Sequence, residues 1–356
     1  MSRFDDLVQL WPMPSSPRPI IVIGAGGIVE SAHLPAYRKW DFEVAGIFDL
    51  EREKAKALAD RFSIPRVFGT LEEAFATGPG PVHDIAVPPQ ALSSILPILP
   101  EGATALIQKP LGVDAADARK LAAILSERRV TAAVNFQLRF TPAMVAVGDA
   151  IARGMFGDIV ELEVRLACRT PWEIWPFMKD LDAIEIPLHS IHYLDWIRAT
   201  LGMPKKVFAK SVRHPAHPDR ADARSSIILD AGPMTRCCLS LNHTHLWGPD
   251  KEEATIRIEG TKAAAIIGLG YLVNFPEGRP ESLEMIVEGG QWETVTLKGE
   301  RVPDSFAAVM ANLQRYAAGE DEQLLTGIED SVRSMLLVDA CLKSSRSGEA
   351  VAPDNE

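Results

Sequence analysis

The stretch from Pro19 to Ala36, PIIVIGAGGIVESAHLPA, decides how the chain is read. Four consecutive apolar residues, Ile20 to Ile23, run into a glycine cluster, and the cluster runs into a segment of helical character. That order predicts a strand, a tight turn and a helix N-terminus. Within Gly24-Ala25-Gly26-Gly27-Ile28-Val29 the first glycine suits the turn, and the second lets backbone approach a pyrophosphate that rests on the N–H groups opening the helix. The third position of the G-x-G-x-x-G pattern is Val29. A second apolar run, Phe42 to Phe48, ends in Asp49, near the distance at which a strand-end carboxylate takes the ribose hydroxyls of an adenosine. Strand, turn, helix, strand and acid agree on a dinucleotide site. Asp49 would accept two ribose hydroxyls and repel a 2′-phosphate, so NAD is expected over NADP; Arg52 is the only nearby cation that could relieve that repulsion.

Working outward, 356 residues exceed what one hydrophobic core usually serves, so two domains are the default expectation. A net charge of −11 and a pI near 5.3 speak against nucleic acid and anionic membranes as partners, because both demand a basic face. No run approaches the ~20 apolar residues of a membrane span. Small molecules are the better expectation. Cys168, Cys237, Cys238 and Cys341 show neither zinc spacing nor a disulfide framework, which suggests reduced thiols and a cytoplasmic protein. Residues 1–18, rich in proline and with acids where a signal peptide needs positive charge, read as an extended arm. Such an arm is either a disordered leader or a strap across a partner subunit, with Phe4, Leu7, Leu10 and Trp11 as anchors.

From residue 19 to 146 short apolar runs alternate with helical segments, the mark of a parallel sheet with crossovers. The runs are Ile20–Ile23, Val44–Phe48, one near Val67, Ile85–Val87, Ala105–Ile107 and Ala132–Val134, hence about six strands of a doubly wound sheet. Ligands of such sheets bind at the carboxyl ends of the strands. Candidates there are Asp49, Val87 with the Pro88-Pro89 pair, Gln108-Lys109-Pro110, and Asn135-Phe136-Gln137. From residue 147 to 356 the period changes to alternating strands, at Ile159–Cys168, Lys206–Arg213, Ser225–Asp230, Thr235–His245, Ala254–Glu259 and Ala263–Ile267. Helices are expected at Leu188–Leu201, Ser305–Ala318 and Ile328–Ser344. This is a second domain of α+β type with a large, mostly antiparallel sheet.

Lys109 should stand at the ligand edge of the parallel sheet. There it can bond a substrate hydroxyl and stabilise an alkoxide, or it is a surface lysine beside a proline turn. In His189-Ser190-Ile191-His192-Tyr193-Leu194-Asp195 the two histidines and Asp195 recur every three residues and can share one helical face. Imidazole is the usual general base, worth ~10²- to 10⁴-fold in rate, and Asp195 could fix its tautomer. Buried structural histidines and a zinc site are the other readings, although no third ligand is spaced for a metal. His243 and His245 fall on one face of a strand and are structural or substrate-lining. Trp172 and Trp175 could offer an indole face to a sugar ring, or fill a core or an interface.

Taken together, GAGGIVESAHLPAYR, Asp49, DIAVPP, QKPLGVDAADARKLA, NFQLRFTP, HSIHYLDWIRATLG and TGIEDSVRSMLLVDACLKSSRSG resemble, from Pro19 to Val351, the Gfo/Idh/MocA family of NAD(P)-dependent sugar and cyclitol dehydrogenases. The resemblance implies a Rossmann domain, a C-terminal α/β domain whose open sheet makes dimer or tetramer contacts, and a bound nicotinamide cofactor. It also implies that Gly24, Gly26, Gly27, Ile28, Asp49, Val87, Pro88, Gln108, Lys109 and Gln137 contact that cofactor. Lys109 matches the family's active-site lysine and His192 its catalytic histidine. Three departures stand out: Gln108 where the family usually has the acid of Glu-Lys-Pro, Leu188 where many members carry an Asp before the histidine, and Leu92 where a histidine often follows the paired prolines. Either His189 takes over part of the proton transfer or the catalytic machinery is weakened. The expected activity is hydride transfer between nicotinamide and a secondary alcohol of a sugar, sugar acid or cyclitol. The competing classes are an NAD-binding regulator without activity and an NAD-assisted glycoside hydrolase.

Overall fold

A computed structural model of the chain describes residues 3–172, 178, 181–219 and 221–353. They form two compact units, each assembled from separate stretches of sequence.

The first unit comprises Trp11–Phe140 and Val302–Met335. Its sheet has five parallel strands, β1 (Ile20–Ile23), β2 (Val44–Phe48), β3 (Val82–Ile85), β4 (Thr104–Ile107) and β5 (Thr131–Val134), in the order β2-β1-β3-β4-β5. Strands with helices on both faces are mostly apolar, which is why four of these five read as hydrophobic runs. Two details correct the sequence reading. Near Val67 there is only a single bridge to Ile47, so the sheet has five strands, and the third lies at Val82–Ile85, ahead of the expected Ile85–Val87. His83 and Asp84, both buried, interrupt that run and hide it from a hydrophobicity reading. Thr70 and Asp114 cap the helices Leu71–Phe75 and Ala115–Glu127 by accepting backbone N–H groups three residues on. Pro89 and Pro97 break residues 89–98 into three short turns, Pro89–Ala91, Leu92–Ile95 and Leu96–Ile98, because proline cannot donate within a helix.

The helix Asp304–Ala317 belongs to this first unit. Phe306, Val309, Met310 and Leu313 share one core with Ile20, Val22 and Leu106. At its start Asp304 takes Lys39 at 2.8 Å and the Trp40 indole N–H at 2.9 Å. The N-terminal segment also lies on its own chain. Trp11 donates its indole N–H to Asp321 at 2.9 Å and sets its ring edge against Phe140, 5.4 Å away.

The second unit takes in the residues up to Leu10, Thr141–Arg301 and the chain from Leu336 on. Phe4 and Leu7 are buried in it, and Arg153 holds Asp6 at 2.8 Å. Its eight strands are β6 (Ile159–Ala167), β7 (Val207–Val212), β8 (Arg224–Asp230), β9 (Arg236–Asn242), β10 (Glu253–Gly260), β11 (Ala263–Gly268), β12 (Ser282–Val287) and β13 (Glu293–Thr294). They run in the order β13-β12-β11-β10-β6-β9-β8-β7, antiparallel except for the β6–β9 pair. The longer strands bury alternate residues, as in β8, where Ser225, Ile227 and Leu229 point inward while Ser226, Ile228 and Asp230 face out. Strands β12 and β13 were not expected from sequence; β12 carries only Leu283 and Met285 as fully buried residues.

Candidate active site

The turn after β1 is fixed by one close approach. Gly24 sits at φ +110°, and a Cβ there would lie 2.3 Å from the Ala86 carbonyl oxygen, so only glycine lets β1 pass the end of β3. That virtual Cβ would also touch Val87 at 3.6 Å, which puts Val87 against the turn. Gly26, Gly27 and Ile28 are exposed, and nothing lies within 4 Å of a Cβ built on either glycine. The helix that follows starts with a π-type turn, Val29–His33, and continues as Leu34–Lys39. Asp49 is half-buried at the end of β2. One carboxylate oxygen accepts the Ala25 N–H at 2.6 Å and the other the Glu51 N–H at 2.7 Å. Each oxygen keeps acceptor capacity for a hydroxyl.

The ends of β3, β4 and β5 supply the next residues on the same edge. Pro88 is exposed, and Lys109, half-buried, follows β4 with a cis bond to Pro110. Burial pulls the Lys109 ammonium down to about 8. Gln108 accepts the Lys109 N–H through Oε1 at 2.8 Å. Gln137 lies in the turn after β5, and its Oε1 is buried with no hydrogen-bond partner among the described residues. The cofactor residues named from sequence in this domain therefore collect at the carboxyl ends of one parallel sheet.

The second unit gathers a separate cluster around its histidines. His189 lies in a π-type turn, Glu185–Ser190, that leads into the helix Ile191–Leu201 carrying a half-buried His192. The ring of His189 stacks on His243, centroids 4.2 Å apart and planes within 26°. Trp172 is 3% exposed and turns its ring toward both, at 6.0 Å from His189 and 6.3 Å from His243. Leu188, in the place of the family's acid, packs with Trp172, Met178 and Ile184 as part of an apolar cluster. Asp195 lies buried beside Arg198 at 3.6 Å. Trp175 falls outside the described residues.

Two groups here were missed from sequence. Glu185 is completely buried; Ser190 donates to both its oxygens at 2.8 and 2.9 Å, and its Oε1 lies 3.8 Å from His243 Nε2. Desolvation pushes its carboxyl up to about 7, and burial takes the His243 imidazole down to about 3, so acid and base both favour their neutral forms. His243 Nδ1 meets Thr170 Oγ1 at 2.9 Å. The available signal was an acid between two isoleucines, Ile184-Glu185-Ile186. The second missed feature is a buried histidine, His33, beside Asp84 in the first unit. Among the described residues no group of His, Cys, Asp and Glu is arranged to hold a metal, all four cysteines are free thiols, and no helix is long and apolar enough to cross a membrane.

Comparison with known proteins agrees with this architecture. Levoglucosan dehydrogenase, solved with NADH and levoglucosan, superposes with a TM-score of 0.79 at 18% identity, covering 96% of this chain and 100% of that one. An oxidoreductase from Agrobacterium radiobacter, solved with NAD+, L-tartaric acid and magnesium, gives 0.77 at 20% identity over 95% and 98%. In sequence, D-apiose dehydrogenase of Paraburkholderia graminis is 22% identical over 343 residues, 91% of this chain and 87% of that protein. Trans-1,2-dihydrobenzene-1,2-diol dehydrogenase of Mus musculus is 30% identical over 120 residues, 33% of this chain and 36% of its own length. Residues 19–136 match the oxidoreductase family's NAD-binding Rossmann fold and residues 149–352 its C-terminal alpha/beta domain. The chain thus belongs to the Gfo/Idh/MocA oxidoreductase family.

Proposed function

We propose that this protein is an NAD-dependent dehydrogenase that oxidises a secondary alcohol of a sugar, sugar acid or cyclitol, or runs the reverse reduction. The observation that carries the reading is that Lys109, its ammonium drawn down to about 8, stands on the same sheet edge as the Gly24 turn and Asp49. The residues present fit NAD. Open space above Gly26 and Gly27 admits a pyrophosphate, Asp49 keeps acceptor capacity for ribose hydroxyls, and the orphaned Gln137 Oε1 can take an amide N–H.

When bound, the nicotinamide supplies the hydride acceptor. Lys109, as ammonium, bonds the substrate hydroxyl and stabilises the negative charge that grows on oxygen as hydride departs. His192 takes the hydroxyl proton as general base. His189, stacked on a neutral His243, carries part of the proton transfer in place of the acid that Leu188 replaces. Stacking on an uncharged ring leaves His189 able to accept a proton without a neighbouring imidazolium opposing it. We also propose a cytoplasmic protein organised along the sequence as an arm over residues 1–18, a cofactor domain over 19–146 and a substrate domain over 147–356, the last stretch lending the helix Asp304–Ala317 to the first unit's core. It would pair as a dimer or tetramer through the outward sheet face on which Phe208 is 43% and Ile228 58% exposed.

The test is reduction of NAD, followed by absorbance, across D-apiose, levoglucosan, inositols, tartrate and uronic acids. Turnover of at least one polyol, faster with NAD than with NADP, supports the reading. Binding of NADH with no turnover across the panel in either direction would overturn it.

A further inference from the structure

One polar knot inside the parallel sheet has no part in the chemistry above. His33, on the helix that leaves the glycine turn, is completely buried. Its Nδ1 is 2.8 Å from Asp84 Oδ2, to which the Tyr37 hydroxyl also donates at 2.8 Å. On the other side Nε2 lies 3.2 Å from Gln108 Nε2 and 3.2 Å from Asn135 Nδ2. The direction of these bonds follows from Gln108. Its Oε1 accepts the Lys109 N–H at 2.8 Å, so its amide nitrogen is the end turned toward the ring. An amide nitrogen offers only N–H groups, and Nε2 is therefore the acceptor. The ring proton then sits on Nδ1 and is donated to Asp84. Asp84 in β3, Gln108 after β4 and Asn135 after β5 thus close on a single ring, and that ring belongs to the helix of the cofactor turn.

We propose that His33, kept as the neutral Nδ1–H tautomer, is a positioning residue for Lys109: it holds the Gln108 amide, Gln108 holds the Lys109 backbone, and the glutamine is what allows the ring to stay neutral. A glutamate at 108 would set a second carboxylate against Nε2 while Asp84 occupies Nδ1, and the ring would need a second proton. The groups facing His33 are few. Asp84 comes from β3 and Tyr37 from its own helix, Gln108 and Asn135 bring uncharged amides, and Phe306, 5.1 Å away, brings an apolar ring. Lys109 carries the charge next to Gln108 in the chain. Only the kinetic consequence rests on the dehydrogenase reading; the protonation state of the ring does not.

The experiment uses the full chain with ¹⁵N-labelled histidine, as wild type, Gln108→Glu and Gln108→Leu. The imidazole nitrogens of His33 are recorded at pH 7.5, and melting temperatures from pH 5.5 to 9. Wild type should show one protonated and one bare ring nitrogen, and Gln108→Glu two protonated ones. The folded Gln108→Glu variant keeps a proton that its unfolded chain releases, so its melting temperature should fall further behind wild type as pH rises. Gln108→Leu should trail by an amount that does not change with pH. An imidazolium at His33 in wild type, or a deficit of Gln108→Glu that stays constant with pH, would refute the proposal. For any substrate the protein turns over, His33→Asn, a change outside the residues assigned to the cofactor, should lower kcat about tenfold and leave the NADH dissociation constant within about twofold of wild type. If kcat falls and the NADH dissociation constant rises with it, His33 supports the cofactor site as a whole and does not position Lys109. Should no substrate be found, the resonances and melting curves still decide the tautomer.

Discussion

Asp49 Oδ2 accepts the Ala25 N–H at 2.6 Å, so the acid at the end of β2 braces the glycine turn at the end of β1. A carboxylate that served only the ribose could be removed without touching the pyrophosphate cradle. Here Asp49→Ala should loosen both. A charge-assisted hydrogen bond is worth about 1.5–3 kcal/mol, so the NADH dissociation constant should rise ~10- to 100-fold, while NADPH, freed of repulsion, loses less. Fluorescence titration of both cofactors checks this, and unchanged NADH affinity would contradict it.

Gly24 and Gly26 should respond differently to alanine. At Gly24 the new Cβ would strike the Ala86 carbonyl oxygen at 2.3 Å from a backbone at φ +110°, so Gly24→Ala should lower the melting temperature of the cofactor-free protein by several degrees. At Gly26 nothing lies within 4 Å, so Gly26→Ala should melt like wild type yet lose at least ~10-fold in NAD affinity. Equal NAD affinity in Gly26→Ala and wild type would remove the pyrophosphate from this turn.

Lys109 is lowered to about 8, and its charged form is the one assigned to the developing alkoxide. Rate should therefore fall as pH rises through about 8. Lys109→Met should lose most turnover and still bind NAD. Lys109→Arg, which cannot lose its charge in this range, should keep whatever activity its geometry allows without the falling limb. A falling limb that survives in Lys109→Arg assigns that ionisation to another group.

Glu185 gives a stability test that needs no substrate. Its folded value, about 7, lies above the unfolded 4.5, so the folded protein holds the proton more tightly and loses stability as pH climbs between those values. The loss is complete above about 7 and amounts to at most ~3 kcal/mol. Glu185→Gln lacks this slope. The margin of wild type over the variant should shrink from pH 5 to 7.5 in thermal melts, and a constant margin would mean that Glu185 is ionised throughout.

His192→Asn should lower turnover ~10²- to 10⁴-fold and His189→Asn by less. Histidines that merely pack would instead lower the melting temperature and leave the rate per folded molecule unchanged. Measuring both quantities on both variants separates the two cases.

How far the sequence could be read depended on how local each feature is. The Gly24 turn, Asp49 and Lys109 each follow an unbroken apolar run, so strand ends and ligand edge could be placed within a residue or two. β3 was misplaced because His83 and Asp84 are polar yet buried, one held to the nearby Gly78 carbonyl and the other to His33 and Tyr37 of a distant helix. The same reason hid His33 and Glu185: neither residue announces its role without Gln108 and Asn135, or His243, beside it. The π-type turn over Glu185–Ser190 escaped notice because the helical period of the residues after it suggested a start at Leu188. The helix Asp304–Ala317 was recognised as a helix, but amphipathic spacing tells that a face is buried, never which core receives it.

That last helix bears on how the protein is made. The ribosome finishes β1 to β5 early, then emits residues 141–301, and only afterwards releases Phe306, Val309, Met310 and Leu313, which roof the core over Ile20, Val22 and Leu106. Until then the nascent cofactor domain carries an open apolar seam. A chain cut after Phe140 keeps every glycine-turn residue and every strand of the parallel sheet, yet it should emerge as a sticky, partly ordered fragment rather than a miniature NAD-binding protein.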